Sequence, residues 1–176
     1  MKRLTPPIKE SDILKLEVGQ KILISGTIYT ARDQAHLRLV NEEQPKFNLE
    51  GAIIYYVGPT PTKDGQIIGS CGPTSAYRMD ELAIPLMEKG VKVMIGKGDR
   101  SKEFQNAMIR NKAVYLMAIG GTGALLASKI KSRKLIMYED LDTEAVYELE
   151  VEDFPCFVAY DLNGNTIFKG GNDEGL

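Results

Sequence analysis

Apolar residues occur in short runs along this chain, and their spacing changes after about residue 70. Before that point, residues 21–32 and 50–57 combine β-branched side chains with partial alternation, a pattern typical of strands. Gly26 within the first of these segments predicts a β-bulge, and residues 66–70 predict a third, short strand. The first ten residues contain two prolines and show no periodicity. We therefore expect an extended N-terminal arm, residues 1–10, followed by a strand-rich part of the chain.

After residue 70 the pattern predicts helices and strands in alternation. Gly90 has the position of a helix C-terminal cap, and Pro85 predicts a kink in the helix before it. Predicted helices cover residues 32–41, 74–89, 101–110 and 123–131, and predicted strands cover 91–95, 113–119, 134–138, 148–151 and 157–160. Such alternation favours right-handed parallel crossovers. The expected fold class is α/β, one layered domain over residues 1–176 with a mixed sheet and parallel βαβ units.

Composition and charge exclude several classes of partner. Hydrophobic residues make up 43% of the chain and charged residues 26%, as in ordinary globular proteins. A net charge of -2 argues against broad binding of nucleic acid or of an anionic membrane. The longest apolar run, residues 113–119, is too short to cross a bilayer, and the N-terminus does not resemble a signal peptide. The basic residues between 129 and 134 are interpreted as a solvated helix end. We expect a cytoplasmic protein with no nucleic acid and no membrane partner.

The cysteine and histidine content argues against a metal site built by this chain. Cys71 and Cys156 lie far apart and fit no metal-ligand spacing, and His36 is the single histidine. Both cysteines are predicted to be ordinary reduced thiols. Any metal chemistry at this protein's site must therefore be supplied by another chain.

Glycine-rich turns recur where predicted strands end, at residues 69–72, 96–98 and 120–123. In open α/β sheets, ligands bind in the crevice outside the carboxyl ends of strands, so these turns are predicted to share one cleft. Lys97 lies between two glycines, where the backbone can approach a ligand closely; the alternative is a solvated loop lysine. The spacing of these glycines matches neither a P-loop nor a dinucleotide fingerprint.

The segment 69–80 combines a glycine turn with a helix start. Pro73 suits the first helical position, and the free N–H groups there favour an anion. Thr74 and Arg78 are spaced i, i+4 and so share one helical face. A hydroxyl able to move a proton then lies one turn from a guanidinium able to bind a carboxylate or phosphate. The alternative interpretation is a helix cap followed by a solvated arginine.

A second candidate segment, residues 32–36, follows the first predicted strand. Asp33 is interpreted either as a residue that orients His36 or as the cap of the next helix, with Arg32 facing a ligand. A lone histidine is more often structural than catalytic, but its near-neutral pKa keeps a catalytic role open. Together with Arg78 and Lys97, Arg32 completes a set of three cations near glycine turns. Such a set suits a small dicarboxylate, yet it lacks a metal and a strong general base.

The motifs, taken in order, carry a family resemblance. They are the segment from Thr30 to His36, Gly58-Pro59-Thr60-Pro61, Gly72-Pro73-Thr74-Ser75-Ala76-Tyr77-Arg78-Met79-Asp80, Ile95-Gly96-Lys97-Gly98 and the segment from Gly120 to Leu126. Over about residues 21–171 the chain resembles the β subunit, equivalently the C-terminal domain, of class I fumarases and L-tartrate dehydratases, which are iron–sulfur hydro-lyases. Tyr77 is larger than the residue usual in that family, but the spacing of Thr74 and Arg78 is kept.

The resemblance implies a fold, a reaction and a set of site residues. The fold is a swivelling β/β/α domain, and the reaction adds or removes water across the double bond of a C4 dicarboxylate. The resemblance implies that Arg32, Arg78 and Lys97 bind the substrate and that Thr74 takes part in catalysis, which we interpret as moving the proton. His36, the single histidine, is kept as a second catalytic candidate because of its near-neutral pKa. The resemblance thus implies a fumarate hydratase β subunit, with an L-tartrate dehydratase β subunit as the alternative.

The resemblance also implies a partner subunit and a cofactor. A 4Fe-4S cluster is held by three cysteines of an α subunit, and two α and two β subunits form a heterotetramer. This chain then contributes no metal ligand. A different hypothesis, from the glycine turns alone, is a stand-alone module that binds a phosphorylated small molecule without any partner.

Overall fold

A seven-stranded mixed sheet forms the centre of the computed structural model, which describes residues 1–59, 62–69, 72, 76–119 and 123–168. Its strands are β1 (Lys2–Leu4), β2 (Lys21–Thr30), β3 (Ile53–Tyr55), β4 (Val93–Gly96), β5 (Val114–Ala118), β6 (Ile130–Met137) and β7 (Val146–Tyr160). Their order is β1-β2-β3-β4-β5-β7-β6. The α/β class and the mixed sheet predicted from the sequence are therefore confirmed.

Short helices connect the strands. They are α1 (Glu10–Ile13), α2 (Asp33–Val40), α3 (Asp80–Glu88), α4 (Lys102–Arg110) and α5 (Gly123–Ala127), with 3₁₀ segments at Ala76–Met79 and Glu139–Glu144. The Ser101 hydroxyl caps α4 by accepting a hydrogen bond of 3.1 Å from the Phe104 backbone N–H. Gly90 follows α3 with a φ of +112°, in the left-handed region where glycine is favoured, so the predicted helix end is confirmed. No helix among the described residues is long and apolar enough to cross a membrane.

Parallel pairing dominates the middle of the sheet. Strands β2, β3, β4 and β5 run parallel to one another, as the alternation of strands and helices predicts. Strand β7 is antiparallel to both β5 and β2, so the sheet closes on itself. The register between β2 and β7 shifts next to Gly26, whose φ is +125°. The bulge predicted at this glycine is confirmed.

Two apolar clusters lie on opposite faces of the sheet. Alternate residues of one strand enter different clusters, because successive side chains point to opposite faces. Ile53 and Tyr55 belong to the cluster within the closed sheet, whereas Ile54 and Tyr56 belong to the cluster under α2, α3 and α4. The carboxyl edge of the parallel strands, between these clusters, is where the candidate functional residues emerge.

Several predicted elements differ from those observed. The described residues of segment 66–69 form no strand, and residues 148–160 lie in one continuous strand rather than two. The helix predicted to reach residue 131 ends at Ala127, and β6 begins at Ile130. The interpretation of the basic run as a helix end is therefore wrong. Lys131, Arg133 and Lys134 lie in β6, at the edge of the sheet, where lysines discourage pairing with other chains.

Candidate functional site

The carboxyl ends of four parallel strands bring the predicted turns to one edge of the sheet. Arg32 follows β2, Gly58 follows β3, Lys97 follows β4 directly, and Gly123 begins α5 after β5. Neighbouring strands are in register up to these ends, with Thr30 opposite Tyr55 and Gly96 opposite Met117. This is the edge at which α/β sheets bind their ligands.

Contacts between the turns support a shared cleft. A Cβ atom built on Gly72 would lie 3.8 Å from the Cα atom of Gly123, so these two glycines lie close together. The Ala76 backbone N–H donates a hydrogen bond of 2.9 Å to the Lys97 carbonyl, which attaches the 3₁₀ turn Ala76–Met79 to the end of β4. The described residues of the glycine turns therefore lie at one edge of the sheet, and the shared cleft stays a prediction.

Gly96 is required by the close packing at this edge. A Cβ atom there would lie 2.8 Å from Tyr56 Cδ2 and 3.0 Å from Ala76 Cβ. Both distances are shorter than carbon atoms tolerate without displacement. The absence of a side chain at Gly96 therefore allows the turn that carries Arg78 to sit directly against the sheet.

Arg32 projects from the start of α2 into a narrow space. Its Nε lies 3.7 Å from Glu144 Oε1 and 3.9 Å from Asp33 Oδ1, within ion-pair range but beyond hydrogen-bond length. On another side of Arg32, a Cβ atom at Gly58 would lie 2.9 Å from its Cδ and 3.0 Å from its Nη1. The Arg32 side chain is thus held between the backbone of Gly58 and the carboxylates of Asp33 and Glu144.

Arg78 reaches the same carboxylate from the opposite segment. It lies in the 3₁₀ turn Ala76–Met79, and its Nη1 is 3.7 Å from Asp33 Oδ2. Asp33 therefore lies between Arg32 and Arg78 and brings the two predicted cations together. The Arg78 side chain remains 52% exposed, so a ligand from solvent can reach it.

Lys97, which directly follows β4, is the third of the predicted cations. Its side chain is exposed, and its backbone carbonyl binds the turn that carries Arg78. The next residue, Gly98, has a φ of +89° and accepts a hydrogen bond of 2.9 Å from the Tyr115 hydroxyl. The loop that carries Lys97 is therefore anchored on both sides of the exposed ammonium group.

His36 is buried beneath these residues. Its side chain donates a hydrogen bond of 2.8 Å from Nδ1 to the Arg32 carbonyl, and its ring packs edge-on against Tyr56 at 5.3 Å between centroids. Burial lowers the pKa of His36 to about 4. The ring is therefore neutral at neutral pH, and one of its nitrogens holds the backbone of Arg32. Asp33 is the first residue of α2, whose N-cap is Arg32, and its carboxylate faces the two arginines.

We expect His36 to make stability depend on pH. As the pH falls from about 6.5 to 4, the unfolded chain protonates this histidine while the folded chain does not. The free energy of unfolding should decrease over that window, by at most about 1.4 kcal/mol per pH unit from this group. Urea denaturation of the wild type and of His36→Gln measures it. Parallel pH dependences in the two proteins would contradict this expectation.

A buried ion pair joins the segments that carry Arg78 and Lys97. Arg100 Nε pairs with Asp80 Oδ1, and Asp80 Oδ2 accepts a hydrogen bond of 2.6 Å from the Ser101 backbone N–H. Asp80 begins α3 directly after the turn that carries Arg78, and Arg100 follows shortly after Lys97. The pair therefore links the segments that carry Arg78 and Lys97 through the protein interior.

Aromatic rings enclose the Arg100 guanidinium. Its central carbon lies 3.5 Å from the ring centroid of Phe104, 4.8 Å from that of Tyr115 and 5.1 Å from that of Tyr56. The Arg100 side chain is 0% exposed, and its Nη1 has no hydrogen-bond partner among the described residues. The charge is stabilised by one carboxylate and by the faces of these rings.

Other predicted residues lie outside the described residues or away from the site. Thr74, Pro73 and Cys71 are outside the described residues. Cys156 is buried in the cluster within the closed sheet, and burial raises the pKa of its thiol. Among the described residues, no group of three or more histidine, cysteine, aspartate or glutamate side chains could hold a metal ion.

A cavity of about 620 Å³ has Arg78 in its lining. Its lining includes the carboxylates of Asp80, Glu81 and Glu103, and neither Arg32 nor Lys97 is among its lining residues. Asp80 is paired with Arg100, and the carboxylates of Glu81 and Glu103 outnumber the one remaining cation of the lining, Arg78, so the cavity is unfavourable for a dicarboxylate. We therefore place the candidate anion site at the strand ends rather than in this cavity.

Three residues of this region escaped prediction from the sequence. Asp80 is the last residue of one recognised motif and Arg100 follows another, but nothing in the spacing indicates that they pair across the structure. Glu144 lies 112 positions after Arg32, in a segment without any motif. A charged side chain at the edge of an α/β cleft is a usable signal only once the sheet order is known.

The sequence of this chain is similar to those of several known proteins. The model of the family described as Fumarase C-terminus matches residues 2–171. The chain is 37% identical to the aerobic class I fumarate hydratase of Escherichia coli (strain K12) over 175 residues, 94% of this chain and 32% of that enzyme. It is 37% identical over 160 residues to fumarate hydratase 2 of Leishmania major, 86% of this chain and 28% of that enzyme.

A third relative is similar to this chain in length. A putative L(+)-tartrate dehydratase subunit beta of Methanocaldococcus jannaschii is 38% identical over 178 residues, 95% of this chain and 91% of that protein. The chain therefore spans about a third of the length of the fumarate hydratases that it matches, but nearly all of this subunit.

Proposed function

We propose that this chain, which belongs to the Fumarase C-terminus family, is the β subunit of a two-subunit fumarate hydratase. The assembled enzyme would hydrate fumarate reversibly to L-malate. The match to a putative L(+)-tartrate dehydratase subunit beta, which covers 91% of that protein, supports the assignment to a β subunit. The proposed assembly contains two α and two β subunits.

The convergence of Arg32 and Arg78 on Asp33, beside the Lys97 loop, is the observation that carries this proposal. Two guanidinium groups and an ammonium group at one sheet edge suit a ligand with two carboxylates. In the proposed assignment, the arginines bind carboxylate oxygens by paired hydrogen bonds. Lys97 adds a point charge at the same edge.

These cations also have a role in the chemical step. Removing the C3 proton of malate leaves a carbanion whose charge is delocalised into the adjacent carboxylate. Oriented donors stabilise such charge by several kcal/mol, because they need no reorganisation as it develops. We assign that role to Arg32, Arg78 and Lys97 acting together.

Thr74 is our proposed carrier of the C3 proton. A free hydroxyl is a poor base, so Thr74 would need its cationic surroundings to favour the alkoxide or to relay the proton. His36 remains the alternative carrier. Its pKa of about 4 and its Nδ1 contact with the Arg32 carbonyl favour a role in holding Arg32 instead.

The family resemblance implies a 4Fe-4S cluster, which supplies a Lewis acid for the substrate hydroxyl. Described residues of this chain do not fit as its ligands, because Cys156 is 0% exposed within the apolar core and burial raises its thiol pKa. We therefore propose that an α subunit with three cysteines holds the cluster. This chain would bind and orient the substrate and move a proton.

Anaerobic hydration assays test the proposed function. Fumarate hydration is measured with this chain alone, with the α subunit alone and with both together. We expect activity only in the mixture. Robust activity of the isolated chain would refute the assignment, as would an assembled complex that binds no C4 dicarboxylate.

L-tartrate is the second candidate substrate, because the relative of matching length carries the name of a tartrate dehydratase subunit. L-malate and L-tartrate differ by one hydroxyl group, and contacts on the partner subunit can recognise that group. Comparing kcat/KM for malate and L-tartrate in the assembled enzyme decides between them. A larger value for L-tartrate would assign the chain to the tartrate dehydratase.

Replacing Arg78 by lysine should raise KM and lower kcat in the assembled enzyme. An ammonium group keeps the charge but cannot form the two parallel hydrogen bonds of a guanidinium group. Arg110→Lys, at an exposed arginine of α4, is the matched control and should leave both constants unchanged. An unchanged kcat/KM in Arg78→Lys would remove Arg78 from the substrate site.

A further inference from the structure

We propose that Glu144 is a positioning residue that turns the Arg32 guanidinium so that its two terminal nitrogens face the substrate. This inference rests on the proposed function, because it assigns a partner to one of the proposed substrate-binding arginines. Glu144 lies at the end of the 3₁₀ segment Glu139–Glu144 and is separated from β7 by Ala145 alone. The Glu144 carboxylate lies beside the Arg32 guanidinium, which must keep one orientation to bind substrate.

Hydrogen bonds fix the segment that carries Glu144 against the end of β2. The Thr30 hydroxyl donates a hydrogen bond of 3.3 Å to the Ala145 carbonyl and accepts one of 3.0 Å from the Tyr147 backbone N–H. Thr30 is 0% exposed, and it lies two positions before Arg32. The residue next to Glu144 is therefore attached to the strand from which Arg32 emerges.

The Arg32 side chain lies between the Glu144 carboxylate and the backbone of Gly58. A Cβ atom at Gly58 would lie 2.9 Å from Arg32 Cδ, 3.0 Å from its Nη1 and 3.6 Å from the Thr143 carbonyl oxygen. Glu144 Oε1 and Arg32 Nε, 3.7 Å apart, are both buried atoms without a hydrogen-bond partner among the described residues. Packing and charge together thus restrict the directions available to the guanidinium.

This arrangement determines which nitrogen atoms of the Arg32 guanidinium are available to bind a ligand. The Nε edge faces Glu144 and Asp33. In the described part of the chain, no hydrogen bond to another residue occupies the two terminal nitrogens of Arg32. A carboxylate bound across those terminal nitrogens can form the paired hydrogen bonds that give strong, directional recognition. A separation of 3.7 Å lets Glu144 orient Arg32 electrostatically without occupying its donors.

Positioning and competition predict opposite effects on substrate binding. A carboxylate that only competed with substrate for Arg32 would weaken binding, so neutralising Glu144 would lower KM. A positioning carboxylate spares the substrate the entropic cost of ordering a long side chain, so neutralising Glu144 would raise KM. The sign of the change therefore distinguishes the two roles.

Glu144→Gln in the assembled enzyme provides the kinetic test. We expect KM for the dicarboxylate to rise roughly two- to tenfold, with a smaller change in kcat. Glu139→Gln is the matched control, since Glu139 is exposed at the start of the same segment. It should leave both constants unchanged. An unchanged or lower KM in Glu144→Gln would overturn the proposal.

A double-mutant cycle separates positioning from a general effect on the fold. In an Arg32→Lys background, Glu144→Gln should raise KM little further, because the guanidinium that Glu144 orients is already absent. The unfolding midpoint of Glu144→Gln should match that of Glu139→Gln. A KM increase as large in the Arg32→Lys background as in the wild type would show that Glu144 does not act through Arg32.

A measurement on the full chain without substrate keeps this inference distinct from the proposed function. The Nε–H signal of Arg32 in nitrogen–proton NMR spectra is assigned by its loss in Arg32→Lys. We expect it to be separated from the signals of freely rotating arginines, and to move to their position in Glu144→Gln but not in Glu139→Gln. A signal unaffected by Glu144→Gln would overturn the positioning role. A failure of hydration by the wild-type assembly would instead refute the proposed function.

Discussion

Replacing Thr74 by valine should lower kcat of the assembled enzyme by roughly 10² to 10⁴, the contribution of a positioned acid or base. The substitution exchanges a hydroxyl for a methyl group of similar size. Arg32, Arg78 and Lys97 are unchanged in this variant, so dicarboxylate binding and assembly with the α subunit should persist. Solvent deuterium exchange into C3 of malate should fall in parallel with kcat.

Two outcomes would assign Thr74 a different role. A decrease of only a few-fold in kcat would leave Thr74 as a residue that stabilises its own segment. Under that outcome, His36→Gln tests the alternative proton carrier in the same exchange assay. A large loss of exchange in His36→Gln would assign the proton to His36, and no loss would assign it to the partner subunit.

Replacing Asp80 by alanine should lower the free energy of unfolding by about 3–5 kcal/mol. The reason is that Arg100 would keep its charge in a fully buried position without the carboxylate that balances it. Rings packed against the guanidinium offset only part of that cost. A loss of this size is a large fraction of the total stability of a single domain. Urea denaturation of the isolated full chain measures it.

Glu81→Ala is the matched control for this prediction. Glu81 is the neighbour of Asp80 in α3 and is exposed, so its removal should change the free energy of unfolding by no more than about 0.5 kcal/mol. A change below about 1 kcal/mol in Asp80→Ala would mean that the pair contributes no more than an ion pair in solvent.

Edge strand β6 explains one incorrect prediction in physical terms. Residues 131–135 are exposed, because β6 has a neighbour on one side only. A strand with both faces in water shows no alternation of apolar and polar residues, and this one resembles the polar end of a helix. The strand predicted at residues 66–70 is absent from the described residues of that segment for a different reason. Ile68 is buried and Ile67 exposed as in a strand, but no neighbouring strand pairs with the described residues there.

The sequence by itself determined which segments carry the candidate site. Glycine turns at strand ends and the alternation of strands with helices are local signals, and each depends on residues close together in the chain. Parallel order then requires that Arg32 and Lys97 emerge at the same edge of the sheet. The family motifs follow the same order along the chain, which is why the family could be identified before the structure.

Tertiary structure alone decided what surrounds those residues. Glu144 approaches Arg32 only because β7 pairs with β2 across more than a hundred positions of sequence. Burial, which depends on the packing of α2 against the sheet, sets the low pKa of His36. Asp80 and Arg100 pair because β4 and the turn before α3 are packed together at Gly96. Charge pairing and burial act through space, so their consequences become visible only after the chain has folded.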